Sequence, residues 1–117
     1  MAMTEDDLKT MAMALPQVEE AMAYGKPAYK AFGKFLTRLR REDASIVLVG
    51  VTFDEREMLM EAEPETFHIT PHYKDYPSVL ARIATVDPDT VRNMLLRRWR
   101  AVAPKKFLKE YDARTET

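Results

Sequence analysis

The sequence predicts a two-layer α+β domain, three helices on a mostly antiparallel sheet in the order α-β(3)-α-β(2)-α. Three observations predict it. Helix-start signals occur at Thr4 ahead of Glu5, Asp6 and Asp7, at Thr52-Phe53-Asp54-Glu55, and at Asp87-Pro88. Pro16, Pro64 and Pro104 close the three helical stretches, because the residue before a proline is pushed out of the α region. Between them lie apolar and aromatic runs bounded by Gly and Pro, which suit strands.

In the first helix the acids of the opening turn complement the helix dipole. Met3 precedes the Thr4 cap and packs on Leu8 as a hydrophobic staple, and Leu8, Met11, Ala12 and Leu15 follow helical spacing. Residues 29–32 and 35–40 form a hairpin about Gly33-Lys34, where glycine supplies the positive φ of a tight turn. In that register Ala28, Phe32, Phe35 and Leu39 share the core face, with Lys30 and Thr37 at its edge. Tyr29, Arg38 and Arg40 share the wet face. Residues 45–51 are apolar on both faces and belong at the centre of the sheet.

The second helix runs from the Thr52 cap to Ala62, with Asp54, Glu55, Glu57 and Glu61 giving it an acidic surface. Residues 67–70 and 79–86 are strands. The stretch 67–77 between them holds both histidines, three aromatic rings and two prolines, so it forms the corner where the chain turns back. In the last helix Val91, Leu95, Trp99 and Val102 recur every three to four residues, and Trp99 anchors it to the sheet. Residues 1–117 make one domain, and the polar tail 107–117 is expected to fray.

Composition narrows the functional classes. Hydrophobic residues are 46% and charged residues 32%, an ordinary globule, and cysteine is absent, which removes disulfide and thiolate chemistry. The longest apolar run is 46–51, too short for a bilayer span, and acids stand where a signal peptide would be basic, so a cytoplasmic location is expected. The net charge of −1 hides segregation: residues 24–41 carry six bases and no acid, whereas residues 42–66 carry eight acids against Arg56. Such blocks steer charged partners or neutralise one another in the fold.

No catalytic constellation is visible. His68 and His72 are four apart, but Thr70-Pro71 argues against a helix between them and no third ligand stands near, so no metal is expected. Neither Ser45 nor Ser78, the two serines, sits in a nucleophile elbow, and Gly25, Gly33 and Gly50 cannot build a phosphate-cradling loop. The expectation is a non-enzymatic domain without a cofactor. Lys26, Tyr29, Lys34, Arg38, Arg40 and Arg41 put five bases and a ring on the hairpin, a ribbon suited to DNA; equally, such charges keep edge strands from pairing between molecules. His72, Tyr73 and Tyr76 either orient a small ligand of unknown identity or fix the corner by hydrogen bonds. Strand edges and the eight methionines are compatible with a homodimer.

Tyr24-Gly25-Lys26-Pro27-Ala28-Tyr29, Gly33-Lys34-Phe35, Pro64-Glu65-Thr66-Phe67, Thr70-Pro71-His72-Tyr73, Tyr76-Pro77 and Trp99-Arg100-Ala101-Val102-Ala103-Pro104-Lys105 come in the order seen in the MmcQ/YjbR family of small bacterial proteins. The resemblance extends from about residue 8 to 108. It implies a CyaY-like, secretion-chaperone-like α+β fold. It also implies DNA binding, by similarity to a double-wing domain of a phage transcription factor. Many relatives place an aromatic after the Tyr-Pro pair, where this chain has Ser78. The alternative role is a protein- or small-ligand-binding module using the sheet face and the corner at residues 70–76.

Overall fold

The computed structural model describes residues 3–115. Along the chain run α1 (Glu5–Met13), β1 (Val18–Ala23), β2 (Lys26–Ala31), β3 (Lys34–Thr37), β4 (Leu39–Arg40) and β5 (Ser45–Val49). They are followed by α2 (Phe53–Ala62), β6 (Phe67–His68), a 3-10 turn (Pro71–Tyr73), β7 (Ser78–Arg82), α3 (Pro88–Val102) and α4 (Lys105–Thr115). The α+β class is as expected. The strands form two antiparallel sheets, ordered β1-β2-β3 and β4-β5-β7-β6, where one had been expected.

The helix starts follow their caps. Thr4 and Asp7 exchange bonds, Thr4 N donating to Asp7 Oδ2 at 2.9 Å and Asp7 N to Thr4 Oγ1 at 3.1 Å, a complete capping box. Met3 and Leu8 are both buried in one core cluster. At α2 the Thr52 hydroxyl accepts from Glu55 N, but the Glu55 carboxylate grips Arg97 of α3 at 2.7 and 2.9 Å. Asp87 caps α3 with Pro88 in its first turn.

The hairpin region differs from expectation in three ways. Residues 18–23, Val-Glu-Glu-Ala-Met-Ala, have little strand propensity, yet they pair with β2 from Ala23↔Lys26 to Val18↔Ala31. Pairing supplies what propensity does not. The β2–β3 turn is Phe32-Gly33 (φ 53° and 77°), one residue earlier than Gly33-Lys34, and Tyr24-Gly25 (φ 54° and 75°) turns β1 into β2 the same way. Two successive positive φ values define the hairpin turn whose twist matches the strands. Finally, Tyr29 pairs with Thr37 but Lys30 with Phe35, so Leu36 is an extra residue on β3. The bulge breaks the alternation: Leu36 and Thr37 are both fully buried, while Phe35 and Leu39 are half-buried.

At Thr37 the chain passes from one sheet to the other. Its hydroxyl donates to Val47 O at 2.7 Å, and Val47 N donates to Arg38 O at 3.0 Å. As expected, β5 lies inside its sheet, between β4 and β7. The carboxy-terminal segment forms the helix α4, with Phe107, Leu108 and Tyr111 packed against the core. Residues 116 and 117 lie outside the described residues. The fully buried Trp99 meets Phe32, Phe107 and Tyr111 at ring centroid distances of 5.9, 6.0 and 5.0 Å. Its indole N–H donates to Pro16 O at 2.8 Å. The polar-looking tail therefore carries an apolar stripe that completes the Trp99 pocket.

The corner is held from behind. Arg56, 8% exposed in α2, donates to Lys74 O at 2.9 Å, Tyr76 O at 3.0 Å, Tyr73 O at 3.2 Å and Ser78 O at 3.4 Å. A planar guanidinium with five donors is the one side chain able to gather that many carbonyls. The Phe53 ring lies 4.8 Å from it.

Candidate functional site

A cleft of about 680 Å³ opens between the first hairpin, β5, the corner and α3. Lys26, Arg38, Arg40 and Arg98 line it, opposed by the single carboxylate Glu42, and Tyr24, His72, Tyr73 and Tyr76 supply rings. The Leu36 bulge is what aims the arginines: Arg38 and Arg40 leave the first sheet and lie along the second, facing the corner. Arg38 Nη2 is 3.4 Å from the Tyr73 hydroxyl, and Arg40 donates to Thr70 Oγ1 at 3.4 Å with its guanidinium carbon 5.4 Å from the Tyr73 ring centre. Lys26, Arg38 and Arg40, proposed for the wing, thus share one cleft with the corner residues. His72 meets Tyr73 edge-on at 4.9 Å and Tyr76 at 6.1 Å.

The basic residues do not stand on one free ribbon. Lys26 reaches Glu42 at 3.3 Å, Arg40 reaches Glu42 and Asp43 at 3.5 and 3.6 Å, and Arg41 reaches Glu5 at 3.1 Å. Glu42 ionises below the ordinary carboxylate range, first through a backbone hydrogen bond and then through Lys26 and Arg40. Tyr29 and Arg41 line a second groove of about 720 Å³ against α1. There burial and Glu20 raise the Tyr29 pKa. Lys34 is exposed beside the Phe32-Gly33 turn and lines neither groove. That turn does not protrude, because Phe32 packs on Trp99 and, at 5.0 Å, on Phe107. The tip that does protrude is Tyr24, 97% exposed.

Arg98 and Tyr24 are not predicted from the sequence as site residues, whereas Thr70 falls within the expected corner. Arg98 donates through Nε to Phe35 O at 3.1 Å, and burial lowers its pKa. Its position directly before Trp99 was visible; the face it would take was not, since α3 carries four arginines.

Ser45, His68 and Asp43 also meet. Ser45 Oγ lies 2.8 Å from His68 Nε2, and Asp43 Oδ2 lies 3.8 Å from that same nitrogen. A nucleophile–base–carboxylate relay needs the serine and the acid on opposite ring nitrogens. Here both face Nε2, and Ser45 is fully buried. The trio is a hydrogen-bonded tie between the β4–β5 turn and β6. Burial, then Arg82, lower the His68 pKa, with Asp43 opposing them. Among the described residues no group of three or more His, Cys, Asp or Glu is placed to hold a metal ion, and no helix is long and apolar enough to cross a membrane.

The fold and the cleft define a small α+β domain with a basic, ring-lined depression between two antiparallel sheets. Its sequence places it more narrowly. The chain belongs to the YjbR family, whose model matches residues 13–101. The uncharacterized proteins Mb2600 of Mycobacterium bovis and Rv2570 of Mycobacterium tuberculosis are each 27% identical to it over 124 residues, covering 94% of this chain and 96% of their own. No solved structure matches it at a significant level.

Proposed function

We propose that this chain is a non-catalytic binding domain whose cleft engages the phosphates and bases of nucleic acid. One observation carries the reading: Lys26, Arg38, Arg40 and Arg98 converge with Tyr24, His72, Tyr73 and Tyr76 on a single concave surface. Cations neutralise phosphates and rings stack on bases, so this is the pairing of side chains that nucleic-acid grooves use. The wing is replaced by a wall, since Arg38 and Arg40 act from the second sheet. The non-catalytic part is supported by the Ser45–His68–Asp43 geometry, which lacks a relay.

An anisotropy titration with labelled oligonucleotides at two salt concentrations tests the reading. Four phosphate contacts, one for each cation, predict a slope of log affinity against log salt of roughly −3 to −4. Arg38→Glu is the informative variant, because the Arg40 side chain, 13% exposed and held by Glu42 and Asp43, also serves the fold. Arg38→Glu should abolish binding while leaving the circular dichroism spectrum intact. Binding that survives the reversal would remove the proposal. A second reading, a small anionic ligand bearing a flat ring, is favoured by the cleft's volume, which lies within the range of ordinary small-molecule pockets.

A further inference from the structure

We infer that the cleft takes single-stranded nucleic acid in preference to duplex, an inference that rests on the nucleic-acid reading above. Three of the four cations are recessed, and the fourth, Lys26, is exposed but paired with Glu42. Arg38, Arg40 and Arg98 are all half-buried, bonded or paired to the cleft's own walls. A duplex is a convex cylinder, and its phosphates meet protruding side chains more readily than recessed ones. A flexible strand can bend into a depression of about 680 Å³, room for about one or two nucleotides.

The element that would enter a duplex groove is also committed elsewhere. The β2–β3 turn is docked by Phe32 on Trp99 and Phe107, so that turn is not free to insert. What the cleft offers outward instead is aromatic: Tyr24 is 97% exposed, Tyr76 is 58% exposed, and His72 is exposed beside it. Faces of this kind stack on unpaired bases, which a duplex hides inside its own stack.

Tyr24 adds an independent observation. It occupies the first central position of a two-residue hairpin turn at φ 54°, a left-handed conformation for which asparagine or glycine is suited and tyrosine is not. With 97% of its surface in solvent, the ring recovers almost nothing from packing. An outward-facing ring at the rim of a basic cleft suits a base-stacking platform, and its strained backbone is unrepaid by packing.

The test compares a short labelled oligothymidylate with its duplex by anisotropy, using the parent chain, Tyr24→Asn and Tyr76→Ala. The single strand should bind at least about tenfold more tightly than the duplex. Loss of one stacking ring should weaken it roughly fivefold or more. Tyr24→Asn should melt no lower than the parent, since asparagine tolerates the turn. Duplex binding as tight as single-strand binding overturns this inference and leaves the nucleic-acid reading standing. Failure of both to bind overturns both. Full single-strand affinity in both ring variants, or displacement of the strand by thymidine monophosphate at comparable concentration, also overturns it, the latter in favour of the small ligand.

Discussion

Replacing Arg56 by methionine removes the donors behind the corner while keeping a side chain of similar reach. In the native chain the guanidinium gathers four carbonyls, of Tyr73, Lys74, Tyr76 and Ser78, between 2.9 and 3.4 Å. Hydrogen bonds from a charged donor contribute about 1.5–3 kcal/mol each when well formed. Only the contacts to Lys74 and Tyr76 approach ideal length, and water can reach much of this exposed loop once it loosens. Counting those two at the low end gives a loss of about 3 kcal/mol. Unfolding entropy of about 2.1 cal/mol/K per residue makes about 0.25 kcal/mol/K for a chain of 117 residues, so Tm should fall by about 12 °C. Calorimetry reads the global effect, and hydrogen exchange reads the local one at the amides of Tyr76 and Ser78, which bond Tyr73 O and Tyr76 O. Exchange there should accelerate more than in β5. A Tm drop below about 3 °C with unchanged exchange at both amides would refute the idea that Arg56 holds the corner.

Trp99→Phe strips the indole donor from the Pro16 carbonyl and leaves a void where the second ring packed; a loss of about 2 kcal/mol is expected in urea denaturation, and a change under about 0.5 kcal/mol would contradict the packing described. His68 gives a pH effect of definite sign. Burial and Arg82 depress its folded pKa below the ordinary 6.5, so the unfolded chain binds the proton better, and stability complete above that pH is lost as pH falls through it towards the folded value. Urea midpoints of the parent and His68→Gln should diverge on acidification just below 6.5, the parent losing more; a constant difference across that window would be inconsistent with a buried neutral imidazole.

The helix starts were legible because their signals are local. Thr4 with Asp7, Thr52, and Asp87-Pro88 act within one turn, and each structural cap falls where its residues predict. The failures were of longer range. Residues 18–23 are a strand against their propensity, paired with β2 through the Tyr24-Gly25 turn, and the Leu36 bulge stands beside Thr37, which bonds Val47 across the seam. Both partners were visible as strands; their pairing with residues 18–23 and with Thr37 was not. The bulge upset the face assignment only in part: Ala28, Phe32, Thr37 and Leu39 reach the core as expected, whereas Leu36 is buried beside Thr37, Phe35 lines the cleft, and Arg38 and Arg40 face the corner instead of a solvent-facing ribbon. The helix at α4 was hidden by its lysines, since Phe107 and Tyr111 make an apolar stripe only once Trp99 is in place to receive it. At the candidate site, six of the residues lining the cleft were named from the sequence: Lys26, Arg38, Arg40, His72, Tyr73 and Tyr76. Their meeting in one place was not, because it depends on that bulge.

The chain has a single tryptophan, and it stands where the amino-terminal loop, the β2–β3 turn and the last helix converge. Its fluorescence is therefore a native gauge of integrity: undocking of α4, or release of the loop at Pro16, exposes the indole and shifts its emission to the red. Trp99 is not among the residues lining the cleft, so occupancy there is expected to change the same signal far less than undocking does. Damage and binding can be followed in one cuvette on separate channels, with an oligonucleotide label reporting the second.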